Sequence, residues 1–240
     1  MNSVNKTIVI TGATGVLGGL VAHTFAERGD TLALLDNNQE KLDSLARDLN
    51  LPETRLLTLT ADLRDGDSVR SAAEAVSVKF GRVHALIHLV GGWTGGKTIP
   101  ESSADDLEFM LGQHTWTTFH LFQAFTPLLT SHGWGRVMIV SMPLTVRPMA
   151  KMGAYAAGKA AQEALVQTLA EEVKDKGVTA NIIHVKAIDI KGDGKGTKPE
   201  EIVAAMTYLF SDEAAKITGA RIPPNRQHIP DQKKFRSTDR

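Results

Sequence analysis

Between Thr7 and Gly18 the chain passes from a β-branched run through a glycine-punctuated turn straight into a helical pattern, and this passage limits the fold more than any other stretch. The strand Thr7 to Thr11 ends in Thr11-Gly12-Ala13-Thr14-Gly15-Val16-Leu17-Gly18, which places three glycines three residues apart. Glycine is required first for the tight turn, next for close approach of the backbone to a phosphate, and last for packing of the new helix on the strand. The helix start then offers unpaired N–H groups and the positive end of its dipole to anionic phosphates. A turn of this kind opens the first βα unit of a dinucleotide-binding parallel sheet.

The remainder of the chain repeats that alternation. Short apolar or β-branched runs, Thr31 to Asp36, Arg55 to Thr60, His84 to Val90, Arg136 to Ser141 and Thr179 to Val185, are separated by helical stretches. Among these are a helix from about Ala104 to Thr130, another from about Met152 to Lys176, and one near Glu200 to Phe210 opened by Pro199. A weak last strand is expected around Ala220. The pattern specifies an α/β fold: a single doubly wound Rossmann-type domain with a parallel sheet of about seven strands, spanning residues 1–222. Residues 223–240 form a charged, proline-containing tail, and Lys-Gly-Asp-Gly-Lys-Gly at 191–196 reads as a flexible loop.

Composition narrows the function. The 27 basic and 27 acidic residues cancel, which removes the basic footprint of a nucleic-acid binder and any strong pull toward anionic membranes. No cysteine is present, so disulfides, thiol nucleophiles and thiolate-bound metals drop out. The eight histidines show no metal-ligand spacing, and no metal is expected. A polar start at Met1 to Lys6 and the lack of a spanning apolar run point to a soluble, cytoplasmic protein with a small-molecule substrate.

Asp36 follows Gly18 by eighteen residues and closes the second strand, where a carboxylate accepts hydrogen bonds from the adenosine ribose hydroxyls. It also repels a 2′-phosphate, so NAD(H) is preferred over NADP(H). Asp62, after the third strand, is placed either to meet the adenine amino group or to cap the next helix. Tyr155 and Lys159 stand four apart on a predicted helix and share a face. An ammonium beside a phenol lowers its pKa and makes proton transfer practicable near neutral pH.

A Tyr-x-x-x-Lys after the fifth strand of such a fold makes the chain resemble the short-chain dehydrogenase/reductase family from Thr7 to Arg221. The resemblance implies that Tyr155 donates a proton, that Lys159 holds the nicotinamide ribose and tunes the phenol, and that Gly12, Thr14, Gly15, Val16, Leu17, Gly18, Leu63, Val90, Gly91 and Ile188 contact the cofactor. It also implies a homodimer or homotetramer built on the long helices. There are departures. The family serine, thirteen residues before the tyrosine, is Met142 here, with Ser141 beside it. Aligning Phe119, Ala124 and Pro127 puts His114 where the family often has asparagine. Val185-Lys186 replaces the usual Pro-Gly, and the substrate-covering segment shrinks to Ile190 to Pro199.

Within the family, Gly91-Gly92-Trp93-Thr94-Gly95-Gly96, Gln113 to Thr117, Ile217-Thr218-Gly219 and Pro224-Asn225 are similar to the quinonoid dihydropteridine reductase branch, which also lacks the serine. Trp93 is placed either to stack on a flat substrate ring or to pack a loop or subunit contact, with Met142 beside the substrate; Trp116 suits core or dimer packing. His114 suits either orientation of a water or substrate near Tyr155 or a structural role. The expected activity is therefore NAD(P)H-dependent reduction, of a pterin-like ring in the first reading. The alternatives are a carbonyl or alcohol oxidoreductase with an atypical site, and a catalytically degenerate dinucleotide-binding sensor.

Overall fold

The computed structural model describes residues 5–224. Seven strands, β1 Thr7–Thr11, β2 Thr31–Asp36, β3 Leu56–Thr60, β4 Ala85–His88, β5 Gly135–Ser141, β6 Val178–His184 and β7 Arg221–Ile222, form one all-parallel sheet in the order β3-β2-β1-β4-β5-β6-β7. The helices are α1 Val16–Glu27, α2 Gln39–Leu49, α3 Gly66–Phe80, α4 Ala104–Met110, α5 Thr117–Thr130, α6 Gly153–Val173 and α7 Pro199–Phe210. The fold is the single Rossmann-type α/β domain expected from the sequence.

Strands β1 and β6 are buried along their whole length, as a parallel sheet covered on both faces requires. Consecutive residues then serve opposite cores. Val9, Leu86, Val137 and Ile182 pack against Val76, Phe125 and Val166 of α3, α5 and α6. Their neighbours Ile8, Ile87, Met138 and Ile183 pack against Phe25, Leu42 and Phe210 of α1, α2 and α7. No helix among the described residues is long and apolar enough to cross a membrane.

Three local expectations are revised. The helix expected over 104–130 is interrupted by a π turn, Leu111–Trp116. At its end the Thr117 hydroxyl donates to the Gln113 carbonyl at 2.8 Å and the Thr118 hydroxyl to the His114 carbonyl at 2.6 Å, which ties the start of α5 to the turn. The loop expected to be flexible is tied down, because Asp189 accepts from the backbone N–H groups of Asp193 and Gly194 at 3.0 and 2.8 Å, and the Asp189 and Thr197 N–H groups bond across its base. The last strand begins at Arg221, one residue past the expected centre, with the Ala220 carbonyl accepting from Ile182. The proposed tail, from residue 225 on, lies outside the described residues.

Two buried histidines brace the sheet in their neutral form. His84 Nδ1 accepts from the Thr7 N–H at 2.8 Å, and burial, with help from nearby Arg82 and Lys6, pushes its pKa down to about 4. His88 joins β1 to α5, with Thr11 Oγ1 at 2.7 Å from Nδ1 and Thr117 Oγ1 at 3.3 Å from Nε2. Complete burial, reinforced by Lys159 and His114, lowers it to about 3. An unfolded histidine takes up its proton near pH 6.5 while these two stay neutral, so the unfolded state binds more protons as pH falls and stability drops with it. Urea midpoints measured from pH 6.5 to 5 should therefore decline, each histidine contributing up to about 1.4 kcal/mol per pH unit. His88→Leu should flatten that slope by about one proton's worth, and an unchanged slope would refute the assignment.

Candidate active site

The strand order reverses between β1 and β4, and the cleft opens at their carboxyl ends, where adjacent strands send the chain to opposite faces. Gly12 adopts φ +68°, and a Cβ there would lie 3.0 Å from the Val90 nitrogen. At Gly18 a Cβ would fall 2.1 Å from the Gly12 carbonyl oxygen, so the first turn of α1 sits directly on the turn that precedes it. Gly15 caps α1 without a side chain, leaving the helix N-terminus open to the cleft. This cradle has room only for backbone and a ligand, and it fits the pyrophosphate of a nicotinamide dinucleotide.

Two cavities of about 520 and 540 Å³ adjoin along Gly12, Gly15, Val90 and Gly91. The first, toward β2 and β3, is lined by Thr14, Asp36, Asp62 and Leu63. The Asp36 carboxylate accepts from the N–H groups of Thr14 at 3.0 Å and Asn37 at 2.8 Å, which holds it at the cavity wall. Asp62 does not cap α3, a role taken by Asp65; it forms a two-pronged pair with Arg64 at 3.0 and 2.9 Å, and this guanidinium keeps its carboxyl below the usual range. Lys41 and Arg64 line the same cavity and were not singled out by the sequence. They come from α2 and from the loop after β3, so only the fold brings them together.

The second cavity holds Val16, Leu17, Gly18, Trp93, His114, Met142, Tyr155, Lys159 and Ile188. Every site residue expected from the sequence thus lines one continuous cleft. Lys159 is buried, donating from Nζ to the Val140 carbonyl at 2.8 Å and to Gln162 Oε1 at 2.9 Å. Burial lowers its pKa to about 8 against an opposing pull from Glu163. The Tyr155 phenol departs from expectation. Its pKa is raised rather than lowered, because removal from water outweighs any help from an ammonium that is committed to Val140 and Gln162.

His114 lies edge-on to Tyr155, with ring centroids 5.4 Å apart. Its Nε2–H donates to the Gly92 carbonyl at 3.0 Å, leaving Nδ1 as a buried acceptor with no partner among the described residues. Burial, then the charge of Lys159, lowers its pKa to about 3. A neutral imidazole in this tautomer orients neighbours by accepting; it is no proton donor at neutral pH. Met142 occupies the serine position and brings no hydroxyl. Ser141 cannot take over: strand alternation points it under α6, where its hydroxyl donates to Glu163 Oε1 at 2.5 Å. Glu163 also accepts from His184 at 2.8 Å and Arg221 at 2.6 Å; burial alone would raise this carboxyl, yet the three donors hold it well below the usual range. Trp93, 62% exposed, stands at the rim.

The sequence model of the short chain dehydrogenase family matches residues 6–199, and the chain belongs to that family. It is accordingly an NAD(P)-dependent oxidoreductase of short-chain dehydrogenase type. It is 29% identical to a D-threitol dehydrogenase of Mycolicibacterium smegmatis, over 90% of this chain and 89% of that one, and 28% identical to a meso-2,3-butanediol dehydrogenase of Serratia marcescens, over 91% and 92%. Among solved structures it superposes on the oxidoreductase YciK of Escherichia coli with a TM-score of 0.84 at 26% identity, covering 92% of this chain and 96% of that one. Levodione reductase superposes with a TM-score of 0.83 at 21% identity, covering 91% and 95%. These matches carry the family and the fold, and they do not single out the dihydropteridine reductase branch.

The cradle yields a direct expectation. Gly18→Ala drives a methyl into the Gly12 carbonyl and displaces the turn, so dinucleotide affinity should fall tenfold or more, about 1.4 kcal/mol. Titration by quenching of the tryptophan fluorescence measures it, and unaltered affinity would show that the dinucleotide lies elsewhere.

Proposed function

We propose that this protein reduces a conjugated, ring-bearing substrate at the expense of NADH, acting as a homodimer or homotetramer in the cytoplasm. The observation that carries the reading is the donor set of the cleft. With Met142 at the serine position and Ser141 turned onto Glu163, Tyr155 is, among the described residues lining the inner cavity, the one side-chain hydroxyl left for a reacting oxygen or nitrogen. A localised alkoxide ordinarily calls for more than one donor. A pterin-like or quinone-like ring spreads the arriving electrons over its conjugated system and needs fewer. The exposed indole of Trp93 at the rim suits a flat substrate, which is further support.

When bound, the nicotinamide supplies the hydride. The protein's part is to hold and protonate. Gly12 to Gly18 would cradle the pyrophosphate, Asp36 would take the ribose hydroxyls and Asp62 with Leu63 would border the adenine, while Val90, Gly91 and Ile188 would bound the nicotinamide half. Lys159 would offer its ammonium to the second ribose. Tyr155, kept protonated by burial, gives its phenolic proton to the substrate and recovers one from solvent through the open side of the cleft. A second reading, carbonyl or alcohol oxidation and reduction, is favoured by the polyol and diol dehydrogenases among the relatives. The apolar side chains Phe109, Trp116 and Phe119, exposed along α4, the π turn and α5, are the surface on which the proposed subunit contact rests.

A screen of NADH and NADPH oxidation against quinonoid dihydropterin, quinones, ketones and diols separates the two readings. Turnover confined to ketones and diols would overturn the first. The carboxylate of Asp36 should make NADH bind at least about tenfold more tightly than NADPH, and the reverse order would show that Lys41 and Arg64 recruit a 2′-phosphate instead. On whichever substrate is turned over, Tyr155→Phe should lower kcat by about a thousandfold with NADH affinity nearly unchanged. Near-normal turnover would place the proton source outside Tyr155.

A further inference from the structure

We propose that Gln162 is a positioning residue for Lys159: it is the first link of a buried hydrogen-bonded chain that fixes the ammonium's rotation and leaves it one N–H to offer into the cleft. The proposal rests on the reading of Lys159 as part of the working site. Lys159 Nζ carries three protons, and two are committed, to the Val140 carbonyl at 2.8 Å and to Gln162 Oε1 at 2.9 Å. An ammonium only donates, so the amide oxygen of Gln162 must face it and the amide NH₂ must face away. That NH₂ donates to Thr118 Oγ1 at 2.8 Å, and the Thr118 hydroxyl donates in turn to the His114 carbonyl at 2.6 Å. Ammonium, amide and hydroxyl thus donate in one direction and end on the carbonyl, each bond polarising the next in a region closed to water.

The chain ends on the carbonyl of His114, a residue of the π turn Leu111–Trp116, so the hydroxyl that orients Gln162 also ties α5 to that turn. A side-chain amide neither gains nor loses protons near neutral pH, so this chain holds charge in place and carries no proton. The proton that replenishes Tyr155 must arrive from the cleft side. The other groups bearing on Lys159 are Glu163, whose carboxylate favours the ammonium, the neutral rings of His88 and His114, and the phenol of Tyr155.

The test reads Lys159 itself, through the ¹³Cε resonances of the free protein labelled at lysine, with Lys159→Arg assigning the signal. The parent should titrate near pH 8. Gln162→Leu removes an acceptor from a buried ammonium and should lower that midpoint by about one pH unit or more, whereas Gln162→Glu should raise it. Thr118→Val, which keeps shape and unties the far end, should lower it by a smaller amount and decides the matter if Gln162→Leu does not fold. A role in packing alone would depress the urea midpoint and leave the titration where it was. Midpoints in Gln162→Leu and Thr118→Val that match the parent, or that rise, would overturn the proposal. Normal turnover in Tyr155→Phe would instead sink the catalytic reading while leaving these titrations intact, so the two failures are distinguishable.

Discussion

Strands β1 and β4 are hydrogen-bonded neighbours from Ile8 opposite Ala85 to Thr11 opposite His88, although more than seventy residues of chain lie between them. Because β1 feeds α1 on one face and β4 leads toward α4 and α5 on the other, the backbone must part where the pair ends, and a crevice is unavoidable. The crevice wall is then set by two stretches with little side-chain bulk, Gly12 to Gly18 and Val90 to Gly92. The pair itself is locked beneath the cleft by His88, bonded to Thr11 on one side and Thr117 on the other. The glycine turn, the Val90 to Gly92 wall and the start of α5 all take their positions from this one parallel pairing.

Helix α6 supplies the other half of the site, and it does so with charge. Its Lys159 reaches the Val140 carbonyl while Glu163, one turn on, receives the Ser141 hydroxyl, so the helix grips the end of β5 at two successive residues. Glu163 also draws in His184 from β6 and Arg221 from β7, which ties the sheet's edge to α6. Burying such groups is tolerable only because each is paired. The arrangement also separates the two residues at the end of β5: the hydroxyl at 141 is bound to Glu163, and Met142 lines the cleft.

Much of this was legible in the sequence, and the reasons are physical. Glycines at 12 and 18 are demanded by backbone approach, and Tyr155 and Lys159 fall together by helical spacing, so both signals survive without a fold. Asp36 was legible because it ends a strand at a fixed distance from the turn. Gln162 was within reach by the same spacing argument, three residues past Lys159, but an amide on a helix carries no chemistry until its partners are known. Lys41 and Arg64 were not legible, since their convergence depends on how α2 and the loop after β3 leave the sheet. The direction of the Tyr155 shift was misjudged for a related reason: spacing brings an ammonium near, while packing decides how much water is lost. The π turn escaped because residues 104–130 keep an apolar pattern compatible with one continuous helix.

That π turn is, in terms of chain length, a surplus of one residue held inside a helix. Deleting any single position from 111 to 116 would let α4 and α5 fuse into one regular helix, a change that local energetics would favour. The segments on either side would stay in register, because the wide turn absorbs the extra residue and its removal leaves the flanking rotation as it was. Phe109 and Phe119 would then keep their common outer surface, while His114, inside the turn, would lose the bulge that sets it against Gly92 and Tyr155. A single-codon deletion here would thus act on the pocket alone, sparing both the outer surface and the hydrophobic pattern of the helix.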